Sequence, residues 1–368
     1  MTDTTGREFL VDREDIRKTS VASLAVPSAD ELGADQVLLH VDRFSLTSNN
    51  ITYAAMGTDF AYWNHFPTST AWGKVPVWGF GDVVASRHPQ IETGERVYGY
   101  FPMSTHLVVE AEGVTAGGFL DRAFHRVALP VFYRQYTRVA EDPFYHAKTE
   151  ELQMLLRPLF ATAFLLDDFF TASSFFGAGT VVLTSASSKT AAALAYVLSS
   201  NRAERSGEYR VVGLTSPRNR EFVEGLGCYD TVLTYDRITE LPAEPTVTVD
   251  FAGNGDVLAG LHNHLGAELK YSCLVGLSHW EKRGGGEATL PGPQPILFFA
   301  PDHAEKRAGE LGPELFTALA AKWNQFVDFA GGWIQIDEGS GEAAVGAVYQ
   351  KLLSGDFAAD RGYILSLG

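Results

Sequence analysis

The sequence predicts an α/β protein of two domains: a doubly wound parallel sheet with helices on both faces, and a smaller β-barrel or sandwich. Three observations support this. At 368 residues the chain is too long for one typical core and suits two. Its early part is a series of short strands. Beyond about residue 150, short apolar runs alternate with helical stretches, the pattern of a parallel sheet.

Gln36–Phe44 alternates as a half-buried strand, with Val37, Leu39 and Val41 on one face and Leu38, His40 and Asp42 on the other. Val75–Ser86 is a second β region, where Gly79 and Gly81 suggest a bend or a tight backbone approach. Thr93-Gly94-Glu95 turns the chain into a strand at Arg96–Tyr100, and Thr105–Glu110 is another. Glu151–Phe170 is apolar at helical spacing, and Pro158 should kink or end a helix there. The alternation then begins: strand Thr180–Ala186, helix Lys189–Ser200, strand Tyr209–Leu214, helix Arg218–Leu226 closed by Gly227, and strands Thr231–Thr234 and Thr246–Phe251. Helix Asp256–His264 and strand Glu268–Leu277 continue it. Pro301–Ala330 holds one or two long helices, followed by strand Ile334–Asp337, helix Gly341–Leu353 and strand Gly362–Leu367. Lys282–Gly286 reads as a charged, glycine-rich loop.

A formal net charge of −16 disfavours nucleic acid and anionic membranes as partners, though not an anionic cofactor in a locally positive site. Two cysteines, Cys228 and Cys273, exclude a disulfide framework, and their apolar surroundings argue against thiol catalysis. The segment Met1–Ser20 lacks the apolar stretch of a signal peptide, and no run is long and apolar enough to span a bilayer, so a cytoplasmic location is expected. The adjacent carboxylates Glu150-Glu151 and Asp167-Asp168 read as solvated, because neighbours on a helix point apart. A G-x-S-x-G elbow is absent.

The most informative segment is Val181 to Ala192, a strand running through small residues into a helix. Unpaired amides and the dipole at such a helix start attract an anion. Ser185, Ala186, Ser187, Ser188, Lys189 and Thr190 are the candidate phosphate contacts. The glycine fingerprint is missing, with Ser185, Ser188 or Lys189, and Ala191 in its place, and Thr184 replaces the glycine a Walker loop would need. The segment alone fits a serine-capped helix equally well. The next strand runs into Thr215, Ser216, Pro217 and Arg218, where an NAD site would carry an acid. Two hydroxyls and an arginine suit a 2′-phosphate, so NADP is favoured over NAD; the other reading is a polar loop capping the following helix.

Together these segments resemble the medium-chain dehydrogenase/reductase superfamily, in its zinc-free, quinone-oxidoreductase-like branch, and within it a bacterial group of unknown function. The matching pieces span nearly the whole chain. Val37–Ser45 leads into Leu46–Tyr53, and Trp78–Val84 and Thr93–Gly99 resemble the family's glycine-valine strand and "G-D-R-V" turn. Leu159–Ala163 looks like the helix that reaches the nicotinamide, Phe222–Tyr235 like "F-L-x-x-L-G-A-D-x-V-x-x-Y", Val249–Gly253 like "V-D-x-x-G", and Gly341–Leu367 like the closing pattern. Residues 121–150 read as an extra segment over the cleft region.

The resemblance implies a GroES-like β-barrel domain for substrate and catalysis, at residues 1–155 and 331–368, and a Rossmann nucleotide-binding domain at 156–330. It implies hydride transfer from NADPH to a carbonyl, quinone or conjugated double bond of a small molecule. Tyr53 is expected as proton donor, Asn50 as polariser, and Thr162, Gly253, Gly276, Leu277 and Ser278 as further cofactor contacts. Zinc is not expected: no cysteine precedes residue 228, and Val77-Trp78-Gly79-Phe80 stands where Gly-His-Glu would fall. The close pair His262 and His264 reads as a helix end. Family members often form homodimers through the sheet edge, here Glu268–Leu277 or Ile296–Phe299. The alternative function is a catalytically silent NADP-binding sensor or assembly protein.

Overall fold

The computed structural model describes residues 5–69, 71–205, 209–251, 253–275 and 290–368. Two compact units are present, one of Met1–Leu155 with Ile334–Gly368 and one of Leu156–Trp333. In the first, β1 (Thr5–Asp12), β2 (Thr19–Ala25), β3 (Gln36–Leu46), α1 (Ser48–Ala55), β4 (Trp72–Gly73), β5 (Pro76–Ser86), β6 (Arg96–Pro102), β7 (His106–Thr115), β8 (Gly118–Asp121) and β9 (Gln135–Arg138) follow in order. Strands β3-β5-β6-β9-β8-β7 are neighbours, and β7 pairs back onto β3 from Gln36↔Glu110 to His40↔His106, closing a six-stranded barrel. Val37, Leu39 and Val41 fill it as their spacing predicts.

Gly79 and Gly81 do not break β5, although its pairing with β3 shifts register at Gly81. They permit close strand contact instead: a Cβ on Gly79 would lie 2.5 Å from the Arg43 carbonyl oxygen, and one on Gly81 2.9 Å from that of His40. Part of the 121–150 segment is likewise structural. Strand β9 is a stave between β6 and β8, and its Tyr136 lies where a side chain on Gly99 would collide with the ring at 2.5 Å. Below it the fully buried Arg126 donates to Asp121 at 3.0 Å, to the Tyr136 hydroxyl at 2.7 Å and to the Tyr133 carbonyl.

Helix α2 (Glu150–Ala172) continues through Pro158 rather than ending there. Proline has no N–H to offer the carbonyl of Met154. Ser45 on β3 supplies the missing donor, its Oγ lying 2.8 Å from that oxygen.

The second unit holds β10 (Thr180–Leu183), α3 (Lys189–Asn201), β11 (Arg210–Thr215), α4 (Arg220–Gly225), β12 (Thr231–Thr234), β13 (Thr246–Asp250), α5 (Gly255–Leu265), β14 (Leu269–Leu274), β15 (Ile296–Leu297), α6 (Ala300–Leu311) and α7 (Pro313–Gly331). Its sheet is parallel throughout, in the order β12-β11-β10-β13-β14-β15, so the strand before the candidate phosphate turn is central. Val181, Val182, Leu183, Val211, Val247 and Val249 are buried in it. The second unit is thus a Rossmann-type sheet and the first a GroES-like barrel, the fold class the sequence predicts. The chain then returns to the first unit through β16 (Gln335–Ser340), α8 (Gly341–Leu353) and β17 (Arg361–Ser366), and β17 pairs antiparallel with β3.

The paired acids are not solvated. Glu150 is buried against Arg96 and Arg43, Asp167 against Arg205 and Asn201, and Asp168 binds His303 and Arg307. Adjacent carboxylates do point apart, but each finds a cation from a distant segment. His262 bonds Ser272 at 2.9 Å and the Pro291 carbonyl at 2.8 Å, and His264 bonds the Leu241 carbonyl, so both are structural. No group of three or more metal-ligating side chains occurs among the described residues, and no helix among them is long and apolar enough to cross a membrane.

Candidate functional site

The turn after β10 is built from small residues and anchored by distant ones. Ser185 adopts the left-handed backbone region at φ 47°, which costs an L-residue energy. Two contacts hold it there: its amide donates to the Tyr235 hydroxyl at 3.1 Å, and its Oγ lies 3.4 Å from the same oxygen. Ala186 is fully buried and bonds in both directions, its N–H to the Leu214 carbonyl at 3.0 Å and its C=O from the Tyr229 hydroxyl at 2.9 Å. A glycine makes this possible from the neighbouring strand: a Cβ on Gly213 would stand 2.9 Å from the Ala186 methyl. Ser187 accepts from Asn219 at 2.9 Å.

Ser188 is the N-cap of α3, and its Oγ accepts from the Ala191 amide at 3.3 Å. Lys189 and Thr190 are the first helical residues, whose amides have no carbonyl within the helix to bond. The amide surface for an anion is therefore narrower than the sequence suggests. The Ala186 amide is spent on the fold, and what the first turn of α3 offers an anion is its dipole. Thr184 Oγ1 bonds Asp250 and receives the Phe251 amide at 3.2 Å, and Asp250 accepts from the Gly253 amide at 2.9 Å. This ties the turn to the end of β13 and places Gly253, at φ 66°, there.

At the end of β11, Thr215 is buried, and its Oγ1 has no hydrogen-bond partner. Ser216 precedes a short 3-10 turn without a side-chain cap bond, and the exposed Arg218 makes no ion pair among the described residues. No acidic side chain lies between Thr215 and Arg220. An exposed cation with no ion pair among the described residues and an orphaned hydroxyl are a donor set that suits a phosphorylated ribose. Thr162 is half-buried on α2, with its hydroxyl turned to the Pro158 carbonyl at 3.2 Å. Gly276, Leu277 and Ser278 lie outside the described residues, as does the loop at Lys282–Gly286. At the sheet edge, Ile296 and Leu297 of β15 are about half exposed.

In the barrel unit, Asn50 and Tyr53 lie on α1, a helix where the sequence suggests only a segment after a strand. Asn50 completes a capping box: its Oδ1 accepts from the Thr47 amide at 2.7 Å and the Thr47 hydroxyl at 3.0 Å, and its Nδ2 donates to the Pro76 carbonyl at 2.8 Å. Its amide thus holds the helix start to β5. Tyr53 is buried, its hydroxyl accepts from Asn49 at 2.7 Å, and it also lies in hydrogen-bonding reach of the Tyr100 phenol. Burial pushes its pKa well above the ordinary tyrosine value, with Tyr62 and Tyr133 adding to the rise. Both cysteines are buried and their thiols raised, Cys228 to about 12, so neither is a nucleophile.

A family model described as a protein of unknown function, DUF2855, matches residues 44–358. The chain belongs to the DUF2855 family. No curated protein matches it by sequence. Solved structures match over almost the full length at low identity. CurA in complex with NADPH, from Vibrio vulnificus, is 14% identical with a TM-score of 0.60, over 98% of this chain and 99% of that one. A mutant form of enoyl thioester reductase from Candida tropicalis is 11% identical with a TM-score of 0.57, also over 98% and 99%. An oxidoreductase from Salmonella enterica in complex with NADP is 15% identical with a TM-score of 0.55, over 98% and 100%. This DUF2855 chain therefore has the medium-chain dehydrogenase/reductase fold that its sequence resembles.

Some features of the DUF2855 site were not visible in the sequence. Tyr235 belongs to the turn although it lies 50 residues beyond Ser185. Tyr62, His65, Tyr100 and Tyr133 gather around Tyr53 in the barrel unit. The density of rings between Tyr53 and Phe66 was the one available signal.

Proposed function

We propose that the chain is an NADPH-dependent, zinc-independent oxidoreductase acting on a carbonyl, quinone or conjugated double bond of a small molecule. The observation that carries this reading is the orphaned Thr215 hydroxyl at the end of the strand next to β10, followed three residues on by an exposed Arg218 that makes no ion pair among the described residues. The NADPH and NADP named for CurA and the Salmonella oxidoreductase support it. Ser188, Lys189 and Thr190 would hold the diphosphate, Thr215, Ser216 and Arg218 the 2′-phosphate, and Gly253 would let the backbone approach. Ser185, Ala186 and Ser187 shape the turn, and Thr162, Gly276, Leu277 and Ser278 remain assigned to the nicotinamide end. NADPH supplies the hydride when bound. The chain's part is to orient the cofactor and give a proton from Tyr53, while Asn50 positions α1 through its capping box.

Binding of NADPH and NADH, followed by coenzyme fluorescence in native and Arg218→Ala protein, tests the reading. Loss of charge-assisted bonds to a phosphate should weaken NADPH binding by roughly 10- to 100-fold and leave NADH binding nearly unchanged. Equal effects on both coenzymes refute the assignment. The burial of Tyr53 and the engaged amide of Asn50 favour a second reading, an NADP-binding sensor without turnover. Tight NADPH binding with no oxidation against quinones, enones and aldehydes would select it. Turnover that falls in Tyr53→Phe while NADPH affinity holds would select the enzyme.

A further inference from the structure

The barrel unit carries a ring cluster of which the proposed chemistry uses only Tyr53. Tyr53 stacks on Tyr62 with centroids 4.3 Å apart, and Tyr62 on His65 at 5.8 Å. Tyr100 stands edge-on to Tyr53 at 6.3 Å and to His65 at 5.2 Å, and Tyr133 edge-on to His65 at 5.3 Å. The rings are layered by exposure. Tyr53, His65 and Tyr100 are buried, Tyr62 and Tyr133 are half-buried, and Phe132, packed on Trp78 at 5.0 Å, is 42% exposed.

This is not an ordinary apolar core. Such cores avoid buried polar groups unless each is bonded. Here four phenols lie in one another's field, and the His65 Nδ1 is buried with no hydrogen-bond partner. Burial pushes the Tyr133 pKa to about 12 and holds His65 near 3, so at neutral pH the cluster offers uncharged donors and an uncharged imidazole. Its surroundings also select among ligands. The buried Arg126 guanidinium, 4.8 Å from the Phe66 ring, contributes to keeping His65 uncharged. Arg126 is itself matched by Asp121 at 3.0 Å, so the pair presents no free charge to a ligand of either sign. What remains is a neutral, planar molecule with a hydrogen-bond-accepting oxygen.

We propose that Tyr62, Phe132 and Tyr133 form a shelf for a planar aromatic carbonyl compound, an aryl ketone or quinone, whose oxygen accepts from a phenol of the cluster. This deepens the oxidoreductase reading and rests on it for turnover, but binding to the shelf needs no coenzyme.

The probe is 2,3-dimethyl-1,4-naphthoquinone, whose substituted ring resists thiol addition, titrated by quenching of intrinsic fluorescence without coenzyme. Tyr62→Ala should weaken binding about tenfold through lost stacking. Tyr133→Phe, which keeps the ring and removes the hydroxyl, should weaken it about fivefold. If Tyr62→Ala fails to fold by circular dichroism, Tyr133→Phe decides. Native affinity in the folded variants overturns the shelf, as does displacement of the quinone by phenyltrimethylammonium at lower concentration than by acetophenone. A native chain that binds the quinone but does not reduce it with NADPH refutes the oxidoreductase reading and leaves the shelf standing. A native chain that reduces aliphatic enones with NADPH but does not bind the quinone does the reverse.

Discussion

Replacing Ser45 by alanine tests why a 23-residue helix survives an internal proline. Ser45 and Met154 are both buried, at 3% and 0% exposure, and water cannot replace the lost bond to the Met154 carbonyl. An unmet buried carbonyl costs about 1–3 kcal/mol, so Ser45→Ala should cost about 2. Pro158→Ala restores an N–H that the same carbonyl can accept. In that background Ser45→Ala should cost only about 0.5 kcal/mol, giving a coupling of about 1.5 kcal/mol across the double-mutant cycle. The assay is urea unfolding of the four proteins, compared through midpoints at constant slope. An equal cost of Ser45→Ala in both backgrounds would show that the hydroxyl does not stand in for the missing amide, and the explanation would fail.

Two further outcomes are expected. Arg126→Met strands the buried Asp121 carboxylate and should destabilise the protein by about 3–5 kcal/mol in the same urea assay, with a loss under 1 kcal/mol counting against a structural role for the pair. For Glu150, burial alone would raise the pKa, but bonds and charge from Arg96, with Tyr145 and Arg43, outweigh it and lower the pKa below 4.5. A depressed carboxylate stabilises the fold above its unfolded pKa and loses that contribution as pH falls through the folded value. Glu150→Gln should therefore cost about 1.5–3 kcal/mol at pH 7, and the gap from the native protein should close below about pH 4.5. A pH-independent gap in denaturant midpoint would contradict this.

The parts of the fold written in local pattern were legible. Val37, Leu39 and Val41 alternate and are buried, and the strands flanking the candidate turn announce themselves as short apolar runs between helices. What escaped depends on partners far along the chain. Ser45 meets the Met154 carbonyl 109 residues away, so Pro158 read as kinking or ending the helix. Strand β9 has four residues, one of them buried, too few for a periodicity. In the candidate site the residue types were legible but their bonding was not. Ala186 and Asn50 were named for ligands, yet each spends its hydrogen bonds on the fold. The close packing of the turn against its neighbour strand is made possible by Gly213, where a Cβ would stand 2.9 Å from the Ala186 methyl.

The left-handed Ser185, pinned by Tyr235, bears on the thermodynamics of any ligand seated at the turn. A glycine bend keeps much of its backbone freedom until something binds, and that freedom is then lost at the ligand's expense. Here the restriction is met when the chain folds, at a cost of about 1–2 kcal/mol for the unusual backbone angle. The seat is stiff in advance, so occupancy should bring little ordering entropy and little change in amide exchange at residues 184–188.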